Sequence, residues 1–248
     1  MAIFDSSNPT LKEKTFERSL SAGYQGEVMT LNGTLNKFGV LMALLIASTL
    51  FAWTQIGKGA DPMPFIWTGL IGGLLMAIIM MFKMSWAGFL APAYAVLEGL
   101  LLGSVSWFFD YAYPGLPMQA VSLTLLVAGL MFLIYRFRII PVTQRFRQII
   151  IIATAALALF YMAQWIVGYF GYNLGGFTQE ATWLGIGFSV FVIVLAALNL
   201  LLNFDMIEKG AEMQAPKYME WYSAFGLLVT LIWLYLEILR LLSKLQRR

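Results

Sequence analysis

From residue 37 onward the chain alternates long uncharged apolar runs with short polar links. No Asp, Glu, Lys or Arg lies between Lys37 and Lys58, Asp61 and Lys83, Asp110 and Arg136, Arg147 and Glu180, or Glu180 and Asp205. A hydrocarbon core of ~30 Å takes about 20 helical residues to cross, so each run holds one span. Two further apolar runs carry one internal acid each: Trp86–Phe109 around Glu98, and Trp221–Leu242 around Glu237. The pattern predicts seven helices, near 38–56, 64–82, 86–109, 118–135, 149–170, 181–204 and 221–242. Barrel strands would alternate apolar and polar positions in ~10-residue pieces, and these runs do not. Residues 1–35 are polar and mixed in charge, and the first apolar run begins only after Lys37, so no secretory signal is expected there. They read as an N-terminal segment, irregular over Phe4–Pro9 with a short surface helix over Thr10–Leu20, ahead of a seven-helix domain at 36–248.

Charge between the runs sets the orientation. With the N-terminus inside, eleven bases, from Lys12 to Lys217, fall on internal segments, against Lys58 alone in the three outer loops. This asymmetry predicts a multi-pass cell (inner) membrane protein with a cytoplasmic N-terminus. Arg240, Lys244, Arg247 and Arg248 run against it if the last segment crosses fully, and would return inside if it is re-entrant.

Composition narrows the chemistry. Apolar residues make up 60% of the 248, charged residues 12%, and mean hydropathy is +0.77, so this is an integral membrane protein. A net charge of +3 gives no reason to expect a nucleic-acid partner. There is no histidine and no cysteine, which removes Ser-His-Asp and Cys-His catalysis, histidine zinc sites and thiolate chemistry. Asp110 and Asp205 sit near opposite membrane faces and cannot share a water, as an intramembrane aspartyl protease requires. The expectation is therefore no enzyme and no cofactor.

Small residues four apart mark close helix contacts, since lipid gives helices no hydrophobic drive to associate. Gly69, Gly73 and Ala77 form one such stripe, and Ala91, Ala95, Gly99 and Gly103 another. Pro92 interrupts the third span's hydrogen bonding and is expected to bend it. Trp53, Trp67, Trp86, Tyr135, Trp183, Trp221 and Tyr222 read as interfacial anchors.

Ionisable groups in a span cost ~2.5–3.5 kcal/mol each, so each is a functional candidate. Glu98 lies near the midplane with no base within a turn: it is either a neutral acid locking helices or the wall of a wet cavity. If the sixth helix continues past 204, Asp205, Glu208 and Glu212 share a face beside Lys209, attracting cations. Asn199 and Asn203 lead up to them. On the last span Ser223, Thr230 and Glu237 recur every seven residues and form a polar stripe facing protein or water, with Arg240 placed to pair with Glu237.

Pro92-Ala93-Tyr94-Ala95-Val96-Leu97-Glu98-Gly99, then Leu102-Gly103 and Ser106, resembles the third-helix pattern of the bacterial, YccA-like branch of the Bax-inhibitor (transmembrane Bax inhibitor motif) family. Asn203-Phe204-Asp205-Met206-Ile207-Glu208 is similar to its sixth-helix motif, and Leu234–Leu242 to the end of its last helix. The resemblance implies an all-α fold of seven transmembrane helices, the last central to two three-helix layers, and a pH-sensitive calcium leak. It also implies gating by two aspartates on the sixth and seventh helices. Asp205 matches the first; Thr230 stands where the second would be. Two neighbouring acids titrate as a coupled pair, but an acid opposite a threonine does not. Either that switch is absent, or Glu98 or Glu237 supplies the second carboxylate.

The leading expectation is a passive cation pathway for calcium, which takes six to eight oxygen ligands. Glu98, Asp205 and Glu208 would supply carboxylates, with Asp205 the metal-ligand candidate, and Asn199, Asn203 and Thr230 neutral oxygens. The alternative is a non-transporting regulator that binds other membrane proteins, such as quality-control proteases. Convergence of Glu98, Asp205 and Glu237 would make a carboxylate-lined route plausible; separate environments for all three would leave only their packing role.

Overall fold

The computed structural model describes residues 27–171 and 175–247. The proposed surface helix at Thr10–Leu20, and most of the 1–35 segment, lie outside that range. Among the described residues seven helices are long and apolar enough to cross a membrane: α1 (Leu31–Gly57), α2 (Met63–Phe82), α3 (Ala87–Ala112), α4 (Leu116–Arg136), α5 (Gln144–Tyr169), α6 (Trp183–Glu212) and α7 (Met219–Gln246). Most extend beyond the uncharged runs, because polar residues with good helix propensity continue the hydrogen-bonded spiral into the interfacial layer. α6 is the clearest case: Met206-Ile207-Glu208-Lys209-Gly210-Ala211-Glu212 carries it two turns past Asp205. Side-chain caps fix three starts, with Thr30, Thr143 and Thr182 accepting the amides of Gly33, Phe146 and Gly185. At the α3–α4 link Gly115 takes φ +80°, open to glycine without a steric penalty, and donates its N–H to Asp110 Oδ1 at 2.8 Å.

Two groups of three helices form around the last. α1 and α2 both pack on α3, while α4 and α5 pack on α6. α7 lies between the groups against α1, α3, α4 and α6. Its most apolar stretch is 56% buried, against 17% for α2 and α5. Tyr94 meets Phe225 edge to face at 4.8 Å, and Ser106 hydrogen-bonds Tyr235 at 2.6 Å inside this core. Both small-residue stripes are contact surfaces. A Cβ on Gly99 would stand 2.5 Å from the Leu45 carbonyl, one on Gly103 2.4 Å from that of Thr49, and one on Gly69 2.6 Å from that of Leu97. These glycines thus let α1 and α2 approach α3 nearly backbone to backbone. α3 runs through Pro92 as one helix. Tyr222, expected at an interface, is fully buried beside Phe225: it lies on the core-facing side of α7, where ring packing outweighs the interfacial preference.

α7 runs unbroken from one end of the bundle to the other. At 28 residues it is about 42 Å long, and Lys244 near its end donates to the Gly185 carbonyl (3.0 Å) and Ser189 Oγ (2.6 Å) at the start of α6. The basic tail therefore lies at the far end of the bundle, opposite the end where α1 begins. At that near end residues 27–29 run antiparallel to the α6–α7 link, with Met29 N–H donating to the Ala215 carbonyl (2.6 Å) and Lys217 N–H to that of Glu27 (2.9 Å).

Candidate functional site

One face of α5 carries Arg147, Ile151, Thr154, Ala158, Tyr161 and Trp165, at alternating steps of four and three residues. At 100° per residue they stay within about 40° of one line. The polar members, seven apart, each meet a polar group on α6 or α7. Arg147 is paired with Asp205, Thr154 Oγ1 accepts from Asn199 Nδ2 at 2.8 Å, and Tyr161 Oη donates to Glu237 Oε1 at 3.3 Å. Few backbone contacts hold α5. It packs closely on α6 alone, through a small cluster including Ile150, Ile151, Leu157, Val192 and Leu195 that is separate from the main core. Two cavities lie along its length, and a third lies just before its start, between the α4–α5 link and the end of α6.

The near cavity, about 310 Å³, is lined by Tyr135, Arg138, Asp205, Glu208, Lys209 and Glu212. α6 continues as a helix, so the three acids share a face as the spacing predicted. Asp205 Oδ2 accepts from Arg147 and, at 2.9 Å, from Lys209; Arg147 and Asp205 are 6% and 8% exposed. Glu208 accepts from the Tyr135 hydroxyl, so that tyrosine does more than anchor an interface. Arg138, in the left-handed region at φ 52°, caps the turn that brings α5 back toward this cavity.

The middle cavity, about 540 Å³, lies among α5, α6 and α7. Its polar lining is Thr154, Asn199 and Thr230, and Ile151, Val229 and Trp233 are among its apolar walls. Just behind it, Asn203 Nδ2 donates to Thr230 Oγ1 at 2.6 Å. Thr230, expected opposite Asp205, faces Asn203 instead. The two α6 residues are two apart, 200° around the helix, so turning Asn203 toward α7 aims Asp205 away toward α5.

The far cavity, about 550 Å³, is lined by Tyr161, Gln164, Trp165, Tyr169, Thr178 and Arg240, among others. Beside it Glu237, 3% exposed, accepts at Oε1 from Arg240 (2.9 Å) as well as Tyr161. Its Oε2 is buried with no hydrogen-bond partner. A carboxylate oxygen in that condition is costly unless a proton or cation joins it.

The seven-residue stripe on α7 is buried throughout, but its members stand in different surroundings: Ser223 Oγ has no partner, Thr230 meets Asn203, and Glu237 meets Tyr161 and Arg240. Glu98 lies elsewhere again. Its carboxylate presses on Gly73 of α2, where a Cβ would stand 2.8 Å from Oε1, and it interacts with Tyr94 one turn before it. Glu98, Asp205 and Glu237 thus share no partner and do not converge, so the route lined by these three carboxylates is not formed. The reason is depth and side: Glu98 is on the α2–α3 contact, Asp205 at the near end of α6 and Glu237 toward the far end of α7. Among the described residues no group of three acids is placed to hold a metal ion, and a divalent ion at Asp205 would have to displace two cations.

The α5 partners Arg147, Thr154 and Tyr161 escaped the sequence reading. Their signal was the same seven-residue spacing seen on the last span. Arg147 adjoins Arg145 and reads as an orientation charge, while one threonine and one tyrosine in an apolar run read as ordinary. A second missed group is Glu220, 0% exposed at the near end. It accepts from the Thr30 amide (2.9 Å) and hydroxyl (3.0 Å) and from Lys37, with Lys217 at 3.6 Å. Lys37 also lies over the Trp221 ring at 5.5 Å. Glu220 ties the start of α1 to the start of α7.

No curated protein and no solved structure matches the chain. The family model described as Bax inhibitor 1 like matches residues 8–247, which takes in all seven helices and every group along the α5 face. The chain belongs to the Bax inhibitor 1-like family.

Proposed function

We propose that this protein is a passive cation leak whose path follows the polar face of α5. The carrying observation is that face itself. Arg147, Thr154 and Tyr161, one every seven residues, meet Asp205, Asn199 and Glu237 in turn; cavities of about 540 and 550 Å³ lie on this face, and one of about 310 Å³ reaches Asp205 from the α4–α5 link. Polar groups in lipid are retained where they face a cavity or a partner; all six have a partner, and Asp205, Thr154, Asn199 and Tyr161 also line a cavity. Each end is closed by a carboxylate held to a guanidinium, Asp205 to Arg147 and Glu237 to Arg240. Calcium, the ion implied by the likeness of the motifs, would meet those carboxylates only after the basic partner swings away. The near end is the cytoplasmic one in this reading, because it holds the bases of the α2–α3, α4–α5 and α6–α7 links.

The pH sensitivity implied by the likeness of the motifs would act on the same pairs: whatever removes the attraction between Asp205 and Arg147 opens the near end. Cation flux from proteoliposomes tests this: Asp205→Asn and Arg147→Gln should each raise flux several-fold and flatten its response to acid. Flux equal to the parent at every pH would refute the gate. Absence of any cation flux from folded protein, with reproducible co-isolation of one membrane partner, would favour the regulator instead.

A further inference from the structure

We propose that the middle cavity is a neutral-oxygen site that passes monovalent alkali cations in preference to calcium; this rests on the α5 face being the path. Between the Asp205 end and the Glu237 end, the polar groups at the cavity are Thr154, Asn199, Thr230 and, behind it, Asn203. No acidic or basic side chain lines it.

Hydrogen bonding decides what these groups offer a visiting ion. Asn199 Nδ2 donates both to Thr154 Oγ1 and to the Leu195 carbonyl, each at 2.8 Å. A carbonyl only accepts, so the amide must present its NH2 there, and the orientation is fixed. Thr230 directs its hydroxyl hydrogen to the Gly226 carbonyl at 3.1 Å, leaving its lone pairs to accept from Asn203 Nδ2. The amide donors and the Thr230 hydroxyl are thus engaged within the protein. What remains at the cavity are the Asn199 amide oxygen and the lone pairs of Thr154 and Thr230, with the Thr154 hydroxyl hydrogen the one donor left. An anion finds a single hydroxyl to bind, whereas a cation finds up to three oxygens and space for several waters of about 30 Å³ each.

Neutral oxygens discriminate by charge. Calcium gives up its hydration shell for six to eight oxygens, and its affinity rises with the number of carboxylates among them. Sodium and potassium hold water less firmly, so a few carbonyl-type oxygens and the ion's remaining waters suffice, as in filters built from carbonyls. The middle of the path is therefore a barrier to calcium and a shallow well for monovalent ions.

Full-length protein in liposomes, loaded with either a potassium- or a calcium-sensitive dye, measures both fluxes under equal gradients. Potassium flux should exceed calcium flux by about 10-fold or more, and Thr230→Asp should shift the ratio toward calcium by a similar factor. Asn199→Asp places the same charge on α6 and should shift the ratio the same way, which keeps the test intact if one variant does not fold. Calcium flux equal to or above potassium flux in the parent, or an unchanged ratio in both folded variants, would overturn the proposal while leaving the leak in place. Movement of no cation at all would overturn the leak reading and this inference with it.

Discussion

Single side chains in this bundle are tolerated or costly according to the partners that meet them. Glu220 is enclosed at the near end by Thr30 and Lys37, with Lys217 close by, so removing its carboxylate leaves the half-buried Lys37 ammonium and the Thr30 amide without their acceptor. Breaking a fully buried pair from one side costs about 3–5 kcal/mol; with partners that water reaches, Glu220→Ala should lower stability in detergent by about 1–3 kcal/mol, followed by tryptophan fluorescence. Lys37→Met combined with Glu220→Leu should lose far less, because no charge is then stranded. Glu98 differs in kind. It lies on a helix–helix contact away from the three cavities, so Glu98→Gln should leave cation flux unchanged while Asp205→Asn alters it. Reading the sequence alone, Glu98 and Asp205 are both candidates to line a cation path, one at mid-span and one at a span's end. Only the neighbouring helix separates them, glycine against one and arginine against the other.

At the level of helices, the small-residue stripes were legible because close approach has one chemical solution: absence of side chain. Gly103→Val would drive a Cβ to 2.4 Å from the Thr49 carbonyl. It should destabilise the α1–α3 contact by about 1–3 kcal/mol, whereas Gly129→Val, in open space on α4, should cost little; paired unfolding curves compare the two. The element boundaries were less legible. An uncharged run marks the hydrocarbon layer and not the helix, so α6 seemed to stop near 204 although Met206–Glu212 continues it and builds the near cavity. The polar face of α5 was hidden for a related reason. Its arginine belongs to a basic cluster that also signals orientation, so the seven-residue spacing is recognisable only once α6 and α7 supply the partners.

For the whole molecule, seven complete crossings place the two ends of the bundle on opposite sides of the membrane. The α7 tail is fixed at the far end by Lys244, despite four bases in the last nine residues. Because the chain has no native cysteine, single thiols report position cleanly. In intact cells Gln246→Cys should react with a membrane-impermeant maleimide, and Glu212→Cys only after permeabilisation; the reverse labelling would invert the orientation. Span number was legible in the sequence because crossing length is a physical constant of the bilayer. Which faces meet was not, because it depends on partners drawn from distant parts of the chain.

The path along α5 can be tested by closing it. Thr154→Cys with Asn199→Cys puts facing thiols on α5 and α6 where an Nδ2–Oγ1 hydrogen bond now joins the two side chains, at the middle cavity. Oxidation to the disulfide should stop cation flux in proteoliposomes and a reductant should restore it. Full cross-linking with flux undiminished would contradict a path along this face.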